Sequence, residues 1–284
     1  MLKQRVITAI VLLAILLPAL FHPSPLPFCA IALLMMGAGA WEWSRLNGCG
    51  GAGALGLALA CVALCAGSWA LGLLGRPLPL LWTVGGALWV LGGAALLRAG
   101  VAGWPRLPRA LRLAAGLLAL WLAWLAVAQA RVIGPNFLLS VLVLVWVADI
   151  GAYFAGRAFG LRFTRAKLAP SISPGKSWEG VWGGMLGVLL LAFVWVAADA
   201  ALRAPVPSFY SRLAAHGTGL MVLGVLFLAA MSVAGDLIES LVKRSAGAKD
   251  SSQLLPGHGG VLDRVDALLP TLPLAMMLCR PLAS

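Results

Sequence analysis

The sequence predicts an all-α, polytopic integral membrane protein with about nine transmembrane helices, on three observations. Hydrophobic residues make up 62% of the chain and the mean hydropathy is +0.98. Only 11% of residues are charged, against roughly 25% in a soluble domain. Apolar stretches recur at the length of about 20 residues that crosses some 30 Å of hydrocarbon. The alternating segments of a β-barrel, about ten residues each, are missing.

Candidate spans fall at residues 6–21, 26–42, 53–74, 79–97, 110–130, 136–156, 179–201, 217–240 and 261–279, the second and ninth being short. The first follows Lys3 and Arg5, as a secretory signal would. His22-Pro23-Ser24-Pro25 stands where a small-residue cleavage site would be, so it reads as a retained span. Nine spans put the termini on opposite sides. With the N-terminus in the cytoplasm, 16 of the 21 Lys and Arg residues fall in inside segments. Those outside are Arg76, Arg131, Arg203, Arg212 and Arg280. That bias is what the positive-inside rule requires, and it also accounts for the net charge of +12 without nucleic acid, for which no basic soluble domain exists.

The two halves differ in kind. Residues 1–135 read as scaffold helices, with short or Gly-rich loops and Glu42 the one acid before Asp149. Residues 136–284 read as the catalytic part, with the other eight acids and two cytoplasmic loops at 157–177 and 241–260. The stretch from Trp104 to Arg112 has the composition of a basic segment lying along the membrane interface. The five cysteines (Cys29, Cys49, Cys61, Cys65, Cys279) are scattered. Cys61 and Cys65 share a helix face, but no further ligand completes a metal set.

Ionised groups inside apolar helices cost about 2.5–3.5 kcal/mol each on insertion scales, so they mark function. Asp149, Asp236 and Glu239 are so placed. Asp236, Ser240 and Lys243 recur at helical spacing, with Glu239 beside them in an i,i+4 relation to Lys243 that an ordinary helix pair also explains. Arg244, Lys249, Asp250 and Pro256-Gly257-His258-Gly259-Gly260 follow, then Asp263, Arg264 and Asp266. Carboxylates and cations gathered at one membrane face suit a divalent-metal reaction on phosphates. A second cluster runs from Asp149, Tyr153, Gly156 and Arg157 to the loop Ser171 to Gly180. Gly175-Lys176-Ser177 resembles the tail of a phosphate-binding P-loop, but Pro170 occupies the required first glycine position. Ser177 is placed to cap a helix from Trp178, whose N-terminus would attract an anion.

The run Ser240-Leu-Val-Lys243-Arg244, then Lys249-Asp250-Ser-Ser252 and Pro256-Gly-His258-Gly259-Gly260-Val-Leu-Asp263-Arg264-Val-Asp266, resembles the signature of the phosphatidate cytidylyltransferase (CDP-diacylglycerol synthase) family. The loop from Ser173 to Gly180 and the preceding segment from Asp149 to Gly160 are similar to that family as well. The resemblance implies a homodimeric enzyme of the bacterial inner membrane. It would join CTP to phosphatidate at a cytoplasmic Mg²⁺ site, with room for a monovalent cation such as K⁺. It implies Asp236 and Asp263 as metal ligands; beside them, Asp149, Lys176, Ser177, Glu179 and Ser240 are the residues expected to bind CTP. Lys243, Arg244, Lys249, Asp250, His258, Arg264 and Asp266 would serve catalysis: the cations neutralise phosphates, His258 meets a phosphate oxygen or pyrophosphate, and Asp250 and Asp266 support the metal. A transporter would carry intramembrane charge in both halves, which this chain lacks. An isoprenoid-lipid kinase or cytidylyltransferase should lack the complete signature.

Overall fold

The computed structural model describes the backbone of residues 2–279 and the side chains of residues 7, 8 and 10–279; Lys3, Arg5 and Arg280 of the charge count lie outside those side chains. Helices α1 (Leu2–Phe21), α2 (Leu26–Leu46), α3 (Gly51–Ala70), α4 (Pro79–Ala87) and α5 (Gly93–Ala99) come first. A single π-helical turn, Leu88–Gly92, joins α4 to α5 into one span. Then follow α6 (Arg109–Ile133), α7 (Pro135–Phe159), α8 (Trp178–Ala201), the short α9 (Phe209–Ala214), α10 (Thr218–Ser245), α11 (Leu262–Val265) and α12 (Leu268–Leu278).

Seven of the expected spans are long and apolar enough to cross a bilayer, from α2 through α8 and α10, with α4 and α5 counted as one. The first expected span is present as the shorter apolar run Ile10–Phe21 within α1. The ninth breaks at Asp266 and Ala267 into α11 and α12. The 11 residues of α12 rise only about 16 Å at 1.5 Å per residue. Its Leu269 to Ala275 are all buried against α4, α6, α7 and α10. It is a half-length helix in the middle of the bundle, which explains why its sequence looked like a short span.

The segment from Trp104 to Arg112 is mostly exposed apart from its first residue. Trp104 is buried, and its indole donates to Asn47 Oδ1 at 3.0 Å; Trp43 Nε1 donates to the Arg112 carbonyl at 2.9 Å. These bonds tie the start of α6 to the end of α2.

Helices α7 and α8 share the most extensive helix–helix contact, and small residues make it possible. Gly180, Gly184 and Gly187 of α8 face Ala152, Ala148 and Val147 of α7. A Cβ at Gly184 would come 2.6 Å from the Ala148 carbonyl oxygen, and one at Gly180 2.9 Å from that of Ala152. Lipid tails are as apolar as leucine, so helices in a membrane associate through such close backbone contact. The spacing brings the first turn of α8 against the turn of α7 that carries Asp149 and Tyr153.

Among the described residues the only strands are β1 (Lys167–Ala169) and β2 (Ser173–Ser177), an antiparallel hairpin with Lys167 opposite Ser177. It leads directly into α8, where Ser177 caps as expected: extended backbone, with its hydroxyl accepting from the Gly180 amide at 3.2 Å.

Gly184→Leu should force α7 and α8 apart. Overpacking costs about 1–3 kcal/mol, so the purified variant should show a lower thermal midpoint and a lower folded yield. An unchanged midpoint would contradict the close contact.

Candidate active site

An open cavity of about 390 Å³ lies where α7, β2, α8 and α10 meet. Asp149, Tyr153 and Arg157 of α7 line it, with Lys176 and Ser177 of β2 and Asp236 of α10. Lys176 Nζ sits 2.5 Å from Asp236 Oδ2, a bridge across 60 positions of sequence. Ser240 Oγ donates to Asp236 Oδ1 at 3.2 Å, the one-turn pairing expected from their spacing. On the far wall Arg157 donates to the Tyr153 hydroxyl at 3.0 Å. One end of the cavity is thus the N-terminus of a 24-residue helix beside a lysine. That combination attracts phosphate.

A second polar group forms where α10 meets the loop before α11. Lys243 contacts Glu239 one turn earlier, so the helix pair exists, but the ammonium also lies 2.5 Å from Asp263 Oδ1. All three side chains are buried. Asp263 Oδ2 accepts from the Ser251 amide (2.9 Å), the Ser251 hydroxyl (2.9 Å) and the Gly260 amide (2.7 Å). Gly259 has φ of +81°, and a Cβ there would lie 2.7 Å from Asp263 Oδ2. Glycine is therefore required on both counts.

Other expected site residues lie around these two groups, some exposed and some buried. Arg244, Lys249 and Asp250 are exposed, and Arg244 donates to the Ala248 carbonyl at 3.1 Å. Arg264 turns back onto the carbonyl of His258, with Nε at 2.9 Å, which fixes the loop's tip. Asp266 accepts from the Ala267 amide at 2.7 Å, and both it and Asp149 lie within electrostatic reach of Asp236. Glu179 is turned away from the cavity: Oε1 accepts from the Phe163 and Thr164 amides (3.1 and 2.7 Å) and from the Thr164 hydroxyl (2.8 Å). It holds the 161–165 loop against the start of α8.

The donor set fits a hard divalent cation of one kind. Among the described residues no three His, Cys, Asp or Glu side chains form a metal cage. Mg²⁺ is commonly held by one or two carboxylates plus substrate phosphates, and Asp149 and Asp236 line one cavity in that manner. The ammonium pressed onto Asp236 shows how strongly this carboxylate draws positive charge. Asp263 commits Oδ2 to the loop, which leaves Oδ1 on Lys243 as its one oxygen for a cation.

A model of the cytidylyltransferase family matches residues 3–282. The chain belongs to the cytidylyltransferase family. Relatives in several bacteria are named phosphatidate cytidylyltransferase. That of Haemophilus influenzae is 51% identical over 144 residues, 49% of this chain and 44% of the relative. That of Pseudomonas aeruginosa is 44% identical over 164 residues (57% of this chain, 55% of the relative). That of Thermotoga maritima is 41% identical over 146 residues (51% and 49%). The chain spans about half the length of the curated relatives it matches.

Sequence reasoning passed over one residue of the chain. Glu42 of α2 is fully buried and binds the same loop that holds Asp263. Its signal was available, because it is the single acid before Asp149 and lies in an apolar helix. The zipper of Gly180, Gly184 and Gly187 was legible too, as small residues one or two turns apart.

Because Glu179 anchors a loop flanked by the exposed Arg162 and Arg165, Glu179→Ala should speed limited trypsin cleavage at those arginines several-fold or about ten-fold, with helix content unchanged. Wild-type cleavage rates would show that the carboxylate does not hold the loop.

Proposed function

We propose that the chain transfers the cytidylyl group of CTP to phosphatidate, giving CDP-diacylglycerol and pyrophosphate. The reaction would occur at the cytoplasmic face of a bacterial inner membrane. The observation that carries this reading is the cavity in which Lys176, Ser177 and the N-terminus of α8 face Asp149 and Asp236. The family match and the names of the bacterial relatives support the cytidylyl chemistry. The bias of Lys and Arg along the sequence supports the cytoplasmic face.

A phosphate oxygen of phosphatidate attacks the α-phosphorus of CTP. The new P–O bond forms as the bond from that phosphorus to the bridging oxygen breaks, and pyrophosphate leaves with the electron pair. The nucleophile is an anion at neutral pH and needs little base catalysis. The barrier is repulsion between two polyanions, so the protein's task is charge and orientation. Lys176 and the α8 amides beside Ser177 receive phosphate oxygens, and exchange of Asp236 for phosphate frees the Lys176 ammonium for that role. Lys243 and the exposed Arg244, Lys249 and Arg264 add positive charge at the same face. Asp236 would hold Mg²⁺ with Asp263, whose Oδ1 would have to exchange Lys243 for the ion, and Asp149 and Asp266 would stand in support. When bound, the ion supplies neutralisation of the phosphoryl oxygens, and a monovalent cation such as K⁺ would sit beside it. The acyl chains stay in the bilayer while the head group alone enters. A homodimer is the assembly that the family resemblance implies.

Purified protein given labelled CTP should label phosphatidate and not an isoprenoid phosphate. Asp236→Asn and Asp263→Ala should each lower that transfer by about 10²-fold or more, with the protein still folded in the membrane. Near-wild-type transfer in either variant would remove that carboxylate from the mechanism. Labelling of the isoprenoid phosphate alone would replace the lipid substrate.

A further inference from the structure

Glu42 stands on α2, in the half of the chain that the sequence marks as scaffold. Its carboxylate accepts four hydrogen bonds from a segment 209–220 residues further along. Oε1 takes the Ser252 hydroxyl at 2.5 Å and the Val261 amide at 2.9 Å. Oε2 takes the Ser251 hydroxyl at 3.1 Å and the Leu262 amide at 2.8 Å. An ionised carboxylate offers about four lone-pair directions, and each has a donor here.

These partners are the informative part. Val261 and Leu262 are the N-cap and first residue of α11, a helix with no capping side chain of its own. Glu42 supplies the missing acceptor from another part of the bundle. The next residue is Asp263, and the Ser251 hydroxyl lies 3.1 Å from Glu42 Oε2 and 2.9 Å from Asp263 Oδ2. One hydroxyl proton therefore links the two carboxylates. Gly260 makes room for the contact, because a Cβ there would lie 2.5 Å from Glu42 Oε1. A tether between helix and loop needs one such bond. Four bonds, two of them to successive amides at the start of α11, fix the direction in which Asp263 leaves the loop toward Lys243.

We infer that Glu42 is a positioning residue for the reaction, a latch on α2 that sets residues 251–262 so that Asp263 meets Lys243. It touches no substrate. Its effect on rate rests on the proposed cytidylyl transfer, whereas the latch itself rests on the hydrogen bonds alone.

The test uses the full-length protein in detergent or nanodiscs, with Glu42→Gln and the milder Ser252→Ala. Amide hydrogen exchange is followed in peptides covering 251–262 and in α10 as a control. Turnover of labelled CTP with phosphatidate is followed in parallel. Glu42→Gln places an NH₂ group against N–H and O–H donors, so exchange at 251–262 should rise about ten-fold or more while α10 is unchanged. Displacement of Asp263 should lower kcat by about 10²-fold. The KM for CTP should stay within about three-fold of wild type, because the Lys176 and Ser177 end of the cavity lacks latch contacts. Ser252→Ala should fall between wild type and Glu42→Gln in both readouts, which covers the case of a poorly folding Glu42→Gln. Wild-type exchange in both variants overturns the latch. Faster exchange with unchanged kcat overturns the positioning role and leaves a plain structural tether. A wild-type chain that turns over no CTP with phosphatidate breaks the proposed function instead, and the exchange contrast then decides the latch.

Discussion

A carboxylate inside an apolar bundle has to find a cation or a set of donors, and most of the arrangement described above follows from that requirement. Asp236 finds Lys176, Asp263 and Glu239 share Lys243, and Glu42 finds two hydroxyls and two amides. Each pairing crosses between elements, except that of Glu239 with Lys243 along α10. The polar groups therefore act as the joints of the molecule at the end where they gather. Arg244, Lys249, Asp250 and Arg264 of the signature lie on the surface around them.

Geometry for these joints comes from apolar packing. The small residues of α8 let it approach α7 closely enough for the β2 hairpin to deliver Lys176 across the gap to α10. The half-length α12 fills the interior beside α10 and is preceded by α11, which carries Asp263 and ends at Asp266. A full membrane span in its place would have to continue through the bundle without the break at Asp266 and Ala267. The pattern is a scaffold of lipid-facing helices around a few polar contacts, each satisfied within the protein.

How much the sequence revealed depends on the range of the interaction. Seven spans were legible from runs of apolar residues, because that signal is local. So were the Ser177 cap and the bond from Ser240 to Asp236, which are fixed by helix periodicity. The reach of Lys176 to Asp236 was not, since nothing local joins residues 60 apart. The partners of Glu179 were hidden for a related reason: its Oε1 accepts from the amides of Phe163 and Thr164, 16 and 15 positions earlier, and no helical spacing joins them. The ninth span looked like a membrane helix because interior and lipid-facing segments have the same composition. Glu42 carried a visible signal, a lone acid in an apolar helix, but its partners lie more than two hundred positions away and only the fold brings them together.

The central claim is that anionic substrate is received where the α8 N-terminus meets Lys176 and the α7 and α10 carboxylates. A cryo-electron microscopy map of the protein in nanodiscs with CTP tests this most directly. The account predicts triphosphate density against Lys176 and the amides following Ser177, with Asp236 in the same cavity. Nucleotide density elsewhere on the molecule, or an Asp236 side chain facing lipid, would contradict it.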